Sequence, residues 1–133
     1  MASGAGKWKS IFPSGVIRHF GRGEVMVAEG DKARELLILL SGRVRVEKRM
    51  SGREPLVLAR PGAGQLIGEL SILTGKPRTA TVVAETPVKA WGVPAAKVRA
   101  LLGGGIGPRG RFQKKIMESL AHRLVGLLGK LPV

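Results

Sequence analysis

The 133-residue chain contains no cysteine. That excludes a disulfide framework and cysteine-ligated zinc or iron–sulfur sites, and it suits a reducing compartment. Aromatic side chains are scarce, two Trp and three Phe, which leaves few rings on which nucleic-acid bases could stack. Long apolar runs are missing too. The most apolar, "LLILLSG" at Leu36–Gly42, falls far short of the roughly 18 residues needed to cross a bilayer. The N-terminal "MASGAGKWKS" lacks the apolar stretch of a signal peptide, and Ala2 stands where a myristoylation signal requires glycine. These absences lead to the expectation of a soluble, cytoplasmic domain. A hydrophobic fraction of 44% is enough to build a core.

Acidic residues are also few: 9 Asp and Glu against 23 Lys and Arg, a net charge of +14. Such an excess attracts polyanions, nucleic acid and anionic membrane among them. It equally serves solubility or an acidic partner. The basic residues are scattered along the chain and form no polybasic block.

The order of segments predicts a mainly β fold with flanking helices. Trp8–Phe20 mixes helix and turn signals around Pro13 and predicts a short helix from about Ser14 to His19. "EVMVAEGD" reads as a strand and a turn, and Arg34–Met50 as two strands meeting near Ser41-Gly42. In the second of these, Val44 and Val46 alternate with Arg43, Arg45 and Glu47, the period of a half-buried strand. "PLVLAR", "TATVVAE" and "VKAWGV" add three more, and "PGAGQ" at Pro61–Gln65 is a loop. Short strands at close spacing point to a sandwich or jelly roll. The period then changes. Pro94–Leu102 reads as a helix with proline in its first turn. "GGGIGPRG" breaks it, and 111–129 reads as a second helix with Phe112, Ile116, Leu120, Leu124 and Leu128 on one face. One domain is expected over 1–133, with a β-roll over about 21–93, helices over about 94–102 and 111–129, and a glycine-rich hinge at 103–110.

Catalytic and metal chemistry find no constellation. "GIGPRG" at Gly105–Gly110 matches G-x-G-x-x-G but follows a helix, not the strand a dinucleotide site requires. No P-loop is present. The single aspartate, Asp31, sits in a Gly-Asp turn, and His19 and His122 have no metal-ligand companions at useful spacing. No catalytic residue, metal or cofactor is therefore expected, and the chain does not read as an enzyme.

Chemistry concentrates in "IGELSILTGKPRTATVVA", from Ile67 to Ala84. Gly68 lets the backbone turn and approach a ligand. A helix from about Glu69 to Leu73 would present free N–H groups at its first turn. Arg78, just past a Gly-Lys-Pro corner, has a planar fork suited to phosphate oxygens, and Thr79 adds a hydroxyl. Glu69, an acceptor only, suits a donor such as a ribose hydroxyl. A simpler reading is that Glu69 favours the helix dipole and pairs with Arg78, with Thr79 an ordinary strand residue.

Gly68-Glu69-Leu70-Ser71 followed by Pro77-Arg78-Thr79-Ala80-Thr81-Val82 resembles the phosphate-binding cassette of the cyclic nucleotide-binding domain family. That family includes bacterial catabolite gene activators, regulatory subunits of cyclic-AMP-dependent protein kinase and cyclic-nucleotide-gated channels. Upstream, "EGDKARELLILLSGRVRV" is similar to a second family segment, with Leu37 in place of the usual aromatic. The resemblance runs from about Ile17 to Val125. It implies an eight-stranded β-roll and a ligand site of Gly68, Glu69, Leu70, Ser71, Arg78, Thr79 and Ala80. Glu69 would then accept from the ribose 2′-OH and Arg78 would pair with the cyclic phosphate. The last helix would be a mobile lid carrying Phe112, Leu120 and Leu124. Thr79 resembles relatives that accept cyclic GMP, while family frequency favours cyclic AMP.

The expected function is thus a non-enzymatic cyclic nucleotide sensor that shifts its C-terminal helix and acts on an effector protein or domain. The chain ends soon after Leu128, so no helix-turn-helix and no direct DNA binding are expected, and the last helix could also form a homodimer seam. Two rival readings are a ligand-free β-roll acting as an interaction module and a basic nucleic-acid-binding module.

Overall fold

The computed structural model describes residues 5–101. Pro13 divides the N-terminal segment. Before it, Trp8, Ile11 and Phe12 recur at helical spacing and are all buried, and they define α1 (Ala5–Ile11). After it comes a strand, β1 (Val16–Phe20), where a helix over Ser14–His19 was expected. Tertiary pairing overrides the helical reading: β1 finds a partner remote in sequence, β8 (Val88–Pro94), in the register Val16↔Gly92 to Phe20↔Val88. Because β1 lies at a sheet edge with Val16 and Ile17 exposed, its residues carry no alternating burial signal. The roll consequently begins at Val16 rather than about residue 21.

The remaining elements are β2 (Val25–Val27), β3 (Glu35–Ser41), β4 (Val44–Lys48), β5 (Leu56–Ala59), β6 (Leu66–Ile67), α2 (Glu69–Thr74), β7 (Thr81–Ala84) and α3 (Ala95–Leu101). Two four-stranded antiparallel sheets result, ordered β1-β8-β3-β6 and β2-β7-β4-β5. Together they make the expected eight-stranded roll. β6, two residues long, is too short for any period and escaped the strand pattern. Pro94 closes β8 opposite Glu35 instead of opening the last described helix. The hinge at 103–110 and the helix at 111–129 lie outside the described residues.

β3 explains how the sheets pack. Its run "LLILL" is buried on both faces, because successive strand residues point to opposite sides. Leu36, Ile38 and Leu40 meet Trp8, Phe12, Ile72, Trp91 and Val98, the side covered by the helices. Leu37 and Leu39 face the interior of the roll with Val44, Val46, Val82 and Ala90. The site lies at one end of that interior.

Candidate functional site

The site is built where β6 hands the chain to α2. Gly68 stands at the junction with a φ of 87°, a left-handed conformation that glycine adopts without steric cost. Its bare Cα has a second reason, since a Cβ there would strike the Arg78 guanidinium. α2 is short and tied at its far end. Gly75, also left-handed, donates its N–H to the Ser71 carbonyl at 2.9 Å, and Ser71 Oγ donates to the Pro77 carbonyl at 3.2 Å. The helix and the turn after it thus form one unit that delivers Arg78.

Arg78 is held on all sides. Its N–H donates to the Asp31 carbonyl at 2.8 Å, and its own carbonyl accepts from the Gly30 N–H at 2.8 Å. The residue as a whole is only 7% exposed. Nη1 donates to the Gly68 carbonyl at 2.7 Å and Nη2 to the Glu35 carbonyl at 2.5 Å. Burial pushes the guanidinium pKa down from its ordinary value, while the carboxylates of Glu35, Glu69 and Asp31 oppose that shift. An arginine stays protonated in such a setting, so the site holds a permanent, largely dehydrated cation. A guanidinium has five N–H donors, and two carbonyl bonds do not exhaust it.

The other expected residues gather around it. Gly68, Leu70, Ser71, Arg78, Thr79 and Ala80 line one cleft. Its floor is Val27, Val46 and Val82 from the inner face of the second sheet, and its volume is about 30 Å³. Glu69, 1% exposed, lies in the first turn of α2 close enough for its carboxylate to act on Arg78 electrostatically. Thr79 is exposed, and its carbonyl accepts from Lys48 Nζ at 2.8 Å. Behind Arg78 a second cavity of about 130 Å³ is bordered by Asp31, Arg34, Glu35 and Leu37.

Several of these residues were not singled out in the sequence. The alternation in "VRVEK" and "TATVV" places Val46 and Val82 on an inner face, but only the fold shows that this face meets α2. Glu35 and Lys48 come to the site through strand pairing, and the Asp31 carbonyl through the loop between β2 and β3. His19 sits on β1, away from the cleft, and no group of His, Cys, Asp or Glu fit to hold a metal occurs among the described residues. The expected lid residues Phe112, Leu120 and Leu124 lie outside the described residues.

Known proteins share this fold. Residues 17–103 match the family model described as "Cyclic nucleotide-binding domain". The chain is 35% identical over 106 residues to a CRP-like cAMP-activated global transcriptional regulator of Mycobacterium tuberculosis, covering 79% of this chain and 45% of that protein. It is 43% identical over 70 residues to the acetyltransferase Pat of Mycolicibacterium smegmatis, covering 52% of this chain and 20% of the relative. The chain therefore spans less than half the length of both. Among solved structures, a cyclic nucleotide-binding domain from Methylobacillus flagellatus superposes with a TM-score of 0.76 at 26% identity, covering 86% of this chain and 65% of that one. With the matched region including both sheets and the whole Gly68–Ala80 cleft, the chain belongs to the cyclic nucleotide-binding domain family.

Proposed function

We propose that this chain is a non-enzymatic sensor that binds a cyclic nucleotide in the Gly68–Ala80 cleft, with cyclic AMP preferred over cyclic GMP. The observation that carries this reading is the buried Arg78 cation beside that cleft. A dehydrated guanidinium favours a compact anion, and its fork matches two phosphate oxygens. Arg78 then takes the cyclic phosphate and Glu69 the ribose 2′-OH, with Gly68, Leu70, Ser71, Thr79 and Ala80 surrounding the ring. Preference for cyclic AMP draws on the mycobacterial regulator, which is described as cAMP-activated.

Isothermal titration with cyclic AMP and cyclic GMP tests this directly. Wild type should bind, and Arg78→Ala should weaken binding about a hundredfold, since two charge-assisted hydrogen bonds are lost. Equal affinity of the two proteins, or no binding by folded wild type, would sink the reading and favour a ligand-free interaction module. Binding to nucleic acid that falls steeply with salt and ignores Arg78 would favour the basic-module reading.

Occupancy would be transmitted through α3, the last described helix. Its first residue, Ala95, donates its N–H to the Arg34 carbonyl at 2.9 Å, and Arg99 Nε donates to the Ile72 carbonyl of α2 at 3.3 Å. A shift of α2 on binding would pull on α3 and so on the segment after it, where Phe112, Leu120 and Leu124 would close over the base. The effector is a protein or domain whose nature varies in the relatives, a transcriptional regulator in one and an acetyltransferase in another.

A further inference from the structure

Gly92 sits inside β8, the strand between β1 and β3, where a side chain would ordinarily be preferred. No left-handed backbone requires glycine there, because its φ is not among the positive ones. Space does. A Cβ on Gly92 would come within 2.7 Å of Glu35 Oε2 and 3.0 Å of Arg18 Cγ. Arg18, on β1, and Glu35, on β3, reach toward each other over this gap, and Arg18 Nη1 donates to Glu35 Oε1. Register places this pair. Arg18 is opposite Ala90, Gly92 is opposite Leu37, and Glu35 is opposite Pro94. Since Ala90 and Leu37 belong to the roll interior, Arg18, Gly92 and Glu35 lie on the same inner side, at the end of the sheet nearest α3.

That end is where Arg78 is anchored. The Glu35 residue that pairs with Arg18 through its carboxylate receives the 2.5 Å bond from Arg78 Nη2 on its carbonyl. Glu35 and Arg78 also border the same cavity. A carboxylate left alone there would compete with an incoming anion for the guanidinium, and the carbonyl beside it would have less to hold it in place. Arg18 answers both: it neutralises the carboxylate and ties β1 to β3 at the carbonyl that aims Arg78. The next carbonyl along, that of Arg34, accepts from Ala95 and so joins the same peptide stretch to α3.

We propose that Arg18 and Glu35, meeting over the bare Cα of Gly92, are positioning residues for the Arg78 guanidinium. The proposal deepens the ligand-binding reading and rests on it for its effect on affinity. Arg18 also lies with its guanidinium carbon 5.5 Å from the Phe20 ring centroid, which limits the directions in which it can turn.

The test uses the full chain and two readouts. The first is the Arg78 Nε–Hε resonance in the nucleotide-free protein, assigned by its loss in Arg78→Lys. The second is the Kd for cyclic AMP by calorimetry. Arg18→Met is expected to shift or broaden that resonance and to raise Kd about threefold to fivefold, the size of a partly exposed ion pair. Arg18→Lys, which can still pair with Glu35, should restore both, whereas a purely structural role would follow the melting temperature instead. Gly92→Ala, which wedges a methyl group between the partners, should act in the same direction as Arg18→Met. If Arg18→Met proves unfolded, Gly92→Ala decides by the same two readouts. An unmoved Arg78 resonance with wild-type Kd in a folded variant overturns the proposal while leaving nucleotide binding intact. If wild type binds no cyclic nucleotide, the functional reading fails, and the resonance alone decides the positioning role: movement in Arg18→Met supports it and none overturns it.

Discussion

The two faces of β3 differ in the size of what covers them. On the helix side, Leu36, Ile38 and Leu40 meet three large rings, Trp8, Phe12 and Trp91. On the roll side, Leu37 and Leu39 meet Val44, Val46, Val82, Ala84 and Ala90. Large rings from α1, from Phe12 just after it and from β8 fill the first region and fix the helices to the sheet. The second holds one ring, Phe20, among mostly valines and alanines, and leaves a cleft beside α2 that Arg78 and its neighbours complete. Stability and recognition are thus built on opposite sides of the same strand, one by packing volume and the other by leaving volume out.

The sharpest way to break this comparison is Trp91→Ala. Trp91 is 5% exposed, its Nε1 donates to the Phe12 carbonyl at 3.3 Å, and its ring lies where a Cβ on Gly15 would otherwise be. Removing a ring of this kind from a packed core costs about 3–5 kcal/mol. Urea denaturation should show that loss, and a value below about 1 kcal/mol would mean that the helix side does not carry the fold's stability.

Gly68→Ala probes the other side with a smaller cost to the fold. A left-handed alanine costs roughly 1–2 kcal/mol, and its methyl would also displace the Arg78 guanidinium. Urea denaturation and cyclic nucleotide titration run in parallel should show a modest loss of stability beside a loss of binding far out of proportion to it. Proportional losses would erase the distinction between the two regions.

What the sequence made legible follows the same division. "RELLILLSGRVRV" announces two strands, and "GEL" with "PRTA" announces the cleft, because in both cases the relevant residues are neighbours in the chain. β1 and β6 did not show themselves. β1 lies at an edge with exposed valine and isoleucine, and β6 has two residues whose conformation depends on pairing Leu66 with Ile38 and Ile67 with Leu37. At the site, spacing left Glu69 and Arg78 open to a simple pairing, and it was the resemblance of their motif to a family cassette that gave them separate roles. Their surroundings were not legible, since Glu35 is 43 positions from Arg78 in the chain and Lys48 is 31 from Thr79. Such partners are chosen by strand register, which no short window contains.

The smallest expected effect concerns how the rim of the cleft is held. Lys48 donates to the Thr79 carbonyl and also meets Glu29 Oε2 at 3.1 Å, while Glu29 Oε1 accepts from the Arg49 N–H at 3.0 Å. The Arg49 amide bond, with help from Lys48, holds the Glu29 carboxyl below its ordinary value of 4.5. A carboxyl whose pKa is lower in the folded chain stabilises the fold above its unfolded value, and loses that contribution as pH falls through the folded value. The wild type should therefore be more stable than Glu29→Gln near neutral pH, with the gap closing as pH drops below 4.5. Urea denaturation of both proteins between about pH 7 and pH 3 measures this. A gap that stays constant across that range would show that the ionised carboxylate of Glu29 contributes nothing. A gap that closes would show that the rim at Thr79, unlike the aromatic side of β3, is held by charge.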